Sequence, residues 1–225
     1  MRVLITRPME DAMRTIAALG ERGHEGIAMP LLDVRFHDGA EVALDGVHAV
    51  LATSANGVRA LARRTARRDV PLFAVGPQTA QEAETLGFLR VRNAQGDSRV
   101  LAAAVAGWTA PSDGALLHVK SAEADGTLAA LLKAQGFTVE NAVLYDVGAI
   151  ERLPPLPPDL DAALFYSARG AAIFRKLVAE AKLSVSGMIA ICISKAAADA
   201  LTPLRFKDIR VASEPNQDAM LALLS

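Results

Sequence analysis

Several absences bound what this chain can be. Its 225 residues include a single cysteine, Cys192, which excludes an internal disulfide and any multi-cysteine metal site. That cysteine sits in the apolar run MIAICIS, so a buried core thiol acting as a small hydrophobe is expected. Neither sign of charge is in excess. With a formal net charge of -1, no global field draws the chain to nucleic acid or anionic lipid. No apolar run approaches the roughly 18 residues that a membrane span requires. Met1-Arg2-Val3-Leu4 reads directly into a strand, without signal-peptide architecture. The expectation is a soluble, cytoplasmic protein.

Cofactor signatures are missing as well. No G-x-G-x-x-G follows a strand and no G-x-x-x-x-G-K-[ST] occurs, which removes the usual routes to nucleotide binding. Without H-E-x-x-H, C-x-x-C or clustered histidines, no metal site is expected. There is no G-x-S-x-G nucleophile elbow. The histidines at 24, 37, 48 and 118 are scattered and read as packed or solvated residues. Arg59, Arg63, Arg64, Arg67 and Arg68 raise nucleic acid as a partner. They read more simply as the solvated face and C-terminal end of one helix, where cations suit the macrodipole.

What is present is a tandem duplication. LITRPMEDAMRTIAALGERGHEGIAMPLLDV near the N-terminus returns as LLHVKSAEADGTLAALLKAQGFTVENAVLYDV, at an offset of 113 residues. Leu4 falls on Leu117, Arg7 on Lys120, Glu10 on Glu123, Gly23 on Gly136 and Asp33-Val34 on Asp146-Val147. The match continues through Ser54-Ala55 on Ser167-Ala168 and Gly57 on Gly170. After a slip to an offset of 118, Leu86, Phe88, Arg92 and Ala94 pair with Leu204, Phe206, Arg210 and Ala212. Fixed-period self-similarity of this kind marks a repeated structural unit. One difference inside it stands out: Leu32 in the first copy is Tyr145 in the second.

Each copy alternates short apolar runs with helical patterns. Arg2–Thr6, Glu25–Met29, His48–Thr53, Pro71–Val75 and Phe88–Val91 read as strands in the first copy. Leu116–Val119, Thr138–Val143, Asp161–Tyr166, Met188–Ile193 and Asp208–Val211 do so in the second. Helices are expected to 22 after the first strand, over 56–68, to 86, and over 97–107. In the second copy they fall near 123–135, 168–182, 195–203 and 216–224. Strands alternating with helices of this length predict an α/β fold with parallel sheets. Residues 151–159, ERLPPLPPD, form a stiff proline-rich connector.

In open α/β sheets, ligands sit beyond the carboxyl ends of the strands, where strand-to-helix loops present backbone N–H groups. The candidate binding residues are therefore Thr6 and Arg7; Thr53, Ser54, Ala55 and Asn56; and Gly76, Pro77, Gln78 and Thr79. The second copy adds Lys120 and Ser121; Tyr166, Ser167, Ala168 and Arg169; and Ser194 and Lys195. These loops are rich in small, hydroxyl and basic residues, which suits an anionic ligand. Ser54 and Ser167 are equally placed to be plain helix N-caps, worth ~1 kcal/mol each. The Ala-x-Gly after each would let a ligand approach the backbone.

Six segments in order resemble the uroporphyrinogen-III synthase family: LITRP, TSANGVRAL, AVGPQTAQEAETLGF, the G-x-x-V-x-x-x-x-x-Y of Gly136–Tyr145, FYSARGAAIF and ICISKAAADAL. The resemblance implies two Rossmann/flavodoxin-like parallel-sheet domains joined by two extended strands. Residues 1–34 plus 150–225 would form a discontinuous domain and 37–147 a continuous one, with connectors near 31–36 and 144–149. It also implies a monomeric, cofactor-independent lyase. That enzyme cyclises the linear tetrapyrrole hydroxymethylbilane to uroporphyrinogen III, with loss of water and inversion of ring D. Tyr145 matches the family's tyrosine implicated in catalysis and would lie where a cleft between the domains is expected, donating a proton to the departing hydroxyl or holding the substrate there.

Two departures from the family pattern matter. Tyr166 stands where a threonine is usual, and either widens contact with a pyrrole ring or fills space. Ser194-Lys195-Ala196-Ala197 replaces a Gly-Pro-x-Thr motif, so Ala197 lacks the family hydroxyl; Lys195 either pairs with a propionate or is solvated. The competing reading is a two-lobed cleft protein that binds another polyanionic small molecule without catalysis.

Overall fold

The structure, a computed structural model, describes residues 1–224. In chain order its first elements are β1 (Arg2–Ile5), α1 (Met9–Glu21), β2 (Glu25–Ala28), β3 (Leu32–Phe36), β4 (Val47–Ala52) and α2 (Ala55–Arg64). Next come β5 (Leu72–Ala74), α3 (Pro77–Thr85), β6 (Val91–Asn93), α4 (Ser98–Trp108), β7 (Ala115–Ser121) and α5 (Thr127–Ala134). The last are β8 (Val139–Ala149), β9 (Ala162–Phe165), α6 (Ala168–Glu180), β10 (Ile189–Cys192), α7 (Lys195–Ala200), β11 (Asp208–Val211) and α8 (Gln217–Leu221).

The chain forms two compact units. One takes Met1–Asp33 and the chain from Gly148 onward; the other is Val34–Val147. The first holds a sheet in the order β11-β10-β9-β1-β2, parallel throughout. The second holds the order β3-β8-β7-β4-β5-β6, parallel from β8 to β6. The duplication explains the likeness of the two sheets. In each, a strand-helix-strand unit from one copy sits beside three strands from the other, and the second sheet adds β3 at its edge.

Parallel strands covered on both faces must be apolar on both faces, and the sequence satisfies this. In β9, Ala163 and Phe165 enter one core while Ala162 and Leu164 enter the other. In β4, Val50 and Ala52 pack toward α2 and α3, and Ala49 and Leu51 toward α4 and α5. Phe165 meets Phe174 of α6 edge-on at 5.1 Å between ring centroids. Cys192 is fully buried in this core. Polar caps set several helix starts: Ser54, Asp97, Ser167, Ser194 and Asn216 each accept a backbone N–H from the first turn.

The structure departs from the sequence expectations in four places. The strand expected at Phe88–Val91 is instead Val91–Asn93. Gly87 turns the chain at φ +87°, and Phe88 plugs the core under its own helix, its N–H bonded to the Ala83 carbonyl. The helix α5 begins at Thr127 rather than 123, after a turn. The strand β8 runs unbroken to Ala149, so Tyr145 lies inside a strand of the second unit.

The arginines between 59 and 68 are the fourth. Arg59 is buried and forms a two-pronged ion pair with buried Glu82 of α3, at 2.8 and 2.9 Å, while also donating to Asn56 Oδ1 at 2.8 Å. Arg63 stacks on Phe36 at 3.8 Å. Arg64 donates to the carbonyls of His37 and Ala40, and Arg68 to those of Leu86, Thr65 and Ala62. Arg64 and Arg68 thereby brace the chain on either side of the helix end. The helix ends at Arg64 rather than 68, with Thr65 already extended.

Candidate functional site

In a doubly wound sheet the crevice for a ligand opens where neighbouring strands send their following loops to opposite faces, at the carboxyl ends. Topology places that point between β1 and β9 in the first unit and between β4 and β7 in the second. The ends of these strands and the turns into the next helices carry Thr6-Arg7, Tyr166 to Arg169, Thr53 to Asn56, and Lys120-Ser121. Gly76 to Thr79 follow β5, and Ser194-Lys195 follow β10, one strand further out.

In the second unit, two of these positions, Ser54 and Ser121, converge with Tyr145. Tyr145 packs in the core beneath α2, 4% exposed, with its ring 6.3 Å from that of Phe36. Sequence reasoning placed it at an open cleft; a continuous β8 turns its ring inward instead. Burial raises the phenol pKa, and hydrogen bonding from the Ser54 and Ser121 side chains opposes that rise, with Glu123 adding a smaller upward push. The phenol oxygen therefore meets hydroxyls at the carboxyl edge of β4 and β7, while the ring below it meets hydrocarbon. Ser54 also caps α2, accepting the Asn56 N–H at 3.1 Å. Gly57 lets α2 lie against β7, since a Cβ there would meet the Val119 carbonyl oxygen at 3.1 Å.

A further buried polar side chain of β7 is His118, which the sequence left as one of four scattered histidines. It is 2% exposed, its Nε2 lies 3.5 Å from Thr53 Oγ1, and its Nδ1 is buried without a partner. Burial, helped by nearby Lys120 and opposed by hydrogen bonding with the Asn141 side chain, pushes its pKa from 6.5 down to about 4. The ring is thus neutral at neutral pH. Lys120 itself donates to the Ala124 carbonyl at 2.8 Å.

The first unit presents a different arrangement. Thr6 is buried and donates to the Leu164 carbonyl at 2.6 Å, tying β1 to β9. Arg7 lies over the Tyr166 ring at 4.2 Å. Its guanidinium reaches Asp11 at 3.5 Å and Gln217 at 3.2 Å, and its Nε is buried without a partner. Buried Thr15 donates to Gln217 at 2.9 Å and meets the Tyr166 hydroxyl at 3.5 Å. Burial raises the Tyr166 pKa, against hydrogen bonding from Thr15 and the charge of Arg7. Asp11, Thr15 and Gln217 escaped sequence reasoning. They lie on helical faces that carry no motif, and Gln217 is brought to Arg7 only by the fold.

The remaining candidates are dispersed. Ser167 is exposed and caps α6 through the Gly170 N–H at 3.0 Å, with Ala168 and Arg169 following it. Pro77 and Gln78 are exposed, Gly76 and Ala55 precede or open their helices, and Thr79 is buried. Ser194 caps α7, and Lys195 pairs with Asp199 at 2.9 Å on the surface. Ala197 is fully buried. Among the described residues, no group of three or more His, Cys, Asp or Glu side chains could hold a metal ion, and no helix is long and apolar enough to cross a membrane.

Comparison with known proteins bears on this arrangement. A family model described as uroporphyrinogen-III synthase HemD matches residues 13–222. No curated protein matches the chain. Among solved structures, it is similar to uroporphyrinogen-III synthetase from Helicobacter pylori, at 16% identity and a TM-score of 0.64, over 100% of this chain and 98% of that one. It is also similar to uroporphyrinogen III synthase from Thermus thermophilus, at 17% identity and a TM-score of 0.42, over 100% of this chain and 96% of that one. At such identities the first likeness speaks to the fold alone.

Proposed function

The chain belongs to the uroporphyrinogen-III synthase family, and on that premise we propose that Tyr145 is the proton donor for closing the tetrapyrrole ring. The reaction converts hydroxymethylbilane to uroporphyrinogen III and water. Its first demand is cleavage of the bond between the terminal methylene carbon and its hydroxyl. The bonding electrons leave with oxygen, which takes a proton and departs as water, while the adjacent pyrrole nitrogen supplies electrons to the carbon. Attack at the substituted carbon of ring D gives a spiro intermediate, whose rearrangement inverts that ring. A proton lost from the closing macrocycle balances the one taken up by the departing oxygen.

The position of the Tyr145 phenol carries this reading. Its ring is packed in hydrocarbon, but its oxygen meets the Ser54 and Ser121 hydroxyls at the switch-point edge of the sheet, where proton transfer to a bound group would take place. Loss of water with no net transfer of electrons asks for no redox partner, which supports a cofactor-independent lyase. Orientation does the rest. Holding a flexible chain in one folded conformer can be worth about 7–11 kcal/mol at its best, and a loosely held chain would close to the uninverted isomer.

An anionic carboxylate suits the helix start within either unit: that of α2 at Ser54 and Ala55, beside Asn56, and that of α6 at Ser167 to Arg169 carry positive helix-end charge. Thr53, Ser121 and Tyr166 adjoin these groups. Thr6, Arg7, Lys120 and Lys195 are engaged within the protein, so we assign them to supporting these loops or to exchanging partners when substrate binds. Gly76, Pro77, Gln78, Thr79 and Ser194 would contribute backbone contacts. We place the enzyme in the cytoplasm as a monomer. Its lone thiol, buried at Cys192, suits a reducing compartment, and light scattering of the pure protein tests the monomer.

Tyr145→Phe tests the proton donor. It keeps the ring packing and removes only the hydroxyl, so turnover should fall by about 10²–10⁴-fold with substrate affinity little changed. Wild-type turnover in that variant would reject the role.

A further inference from the structure

Tyr145 is buried, so a proton given to the leaving hydroxyl must be restored by some route, and β7 and β8 supply one. The pairing of β7 with β8 shifts at its carboxyl end: Lys120 lies opposite Val143, but Ser121 lies opposite Tyr145, with Leu144 skipped. This irregularity sets the Ser121 and Tyr145 side chains next to each other. Irregularities of this kind re-aim side chains next to active sites. The following loop is then stitched back onto β8 on both sides of Tyr145. The Ala122 N–H bonds to the Tyr145 carbonyl at 3.1 Å, and the Val147 N–H bonds to Glu123 Oε2 at 3.1 Å. Ser121 is thereby held between a buried phenol and an exposed carboxylate.

We infer that Ser121 and Glu123 are positioning residues forming a relay that orients the Tyr145 phenol and returns its proton from solvent. The inference rests on Tyr145 being the proton donor. When the phenol has given its proton to the departing oxygen, Glu123 takes a proton from solvent water and passes it to Ser121 Oγ as Ser121 gives its own to the phenolate, so that Glu123 ends ionised as it began. Ser54, whose Oγ already accepts the Asn56 N–H, keeps its own proton for the phenol oxygen. The charged neighbours are few. Asp146 lies near Glu123, and is itself paired with His37 at 2.9 Å. Hydrogen bonds, Ser121's among them, hold the Glu123 carboxyl below the usual range despite that like charge, so it stands ionised and ready to accept from water. The first copy of the repeat carries Glu10 but has Pro8 and Leu32 at the other two positions, so the relay exists once.

Four variants test it: Tyr145→Phe, Ser121→Ala, Ser121→Thr and Glu123→Ala, each checked for folding by circular dichroism. Ser121→Ala and Glu123→Ala should each lower kcat about tenfold, the scale of one hydrogen bond to a charged group, with KM unchanged. Ser121→Thr should restore most of that loss, because it keeps the hydroxyl. Millimolar formate should restore turnover to Glu123→Ala and leave Ser121→Ala unaffected; a purely structural role would not respond to formate. In a Tyr145→Phe background, Ser121→Ala should have no further effect. If Tyr145→Phe loses activity while both relay variants turn over as wild type, the relay is wrong and the proton donor stands. If Tyr145→Phe is itself fully active, the parent reading fails.

Discussion

His118 makes acid the most informative perturbation of this fold. Its ring is 2% exposed, and its folded pKa of about 4 lies well below the ordinary 6.5. In the unfolded chain it takes up a proton as pH falls below 6.5; in the folded protein it resists until about 4. The unfolded state therefore binds more protons across that window, and stability falls as pH falls through it. The full gap is worth roughly 3 kcal/mol, of which about 2 kcal/mol is lost by about pH 5. Carboxylates such as Asp69 and Asp97, which hydrogen bonds hold below their usual range, also titrate in acid, so wild type alone would not isolate the histidine. His118→Gln removes the titration while keeping a polar group of similar length. Urea unfolding of both proteins at about pH 7 and about pH 5 should show wild type losing about 2 kcal/mol more than the variant. Equal losses in the two proteins, or a His118 proton resonance titrating near its ordinary value, would refute the reasoning.

Charged pairs carry two more expectations. Arg59→Met should cost about 3–5 kcal/mol in urea unfolding, because it leaves Glu82 buried and unpaired. Adding Glu82→Leu should recover most of that loss, and failure to do so would mean the pair holds the fold in some way beyond charge compensation. His37 should behave oppositely to His118. Its hydrogen bond to Asp146 raises its pKa, so whatever it adds to stability is present below 6.5 and disappears as pH rises through the raised value. An NMR titration should place its midpoint above 6.5, and Asp146→Asn should bring it down.

The duplication made much of the fold legible. Periodicity located β9, β10 and β11 because each is a short, bounded apolar run, and the repeat-matched Gly23 and Gly136 both turn the chain at positive φ just after their helices. Ends braced by side chains from elsewhere were not legible. Nothing local ends α2 at Arg64, and nothing local says that Phe88 turns inward. At the site, the loop residues follow from topology, and Tyr145 stood out because its repeat partner is Leu32. Its burial did not follow, since one residue of strand register decides which way a side chain points, and a register shift at Ser121 is invisible in a string of letters. Arg7 looked free in the sequence because Asp11 is one helical turn away and Gln217 lies 210 residues along the chain.

Supplying the purified protein with freshly made hydroxymethylbilane, and separating the cyclic products by chromatography, tests the central claim most directly. Uroporphyrinogen III should dominate, in excess over a reaction without protein. Isomer I alone, at the rate of spontaneous closure, would contradict it.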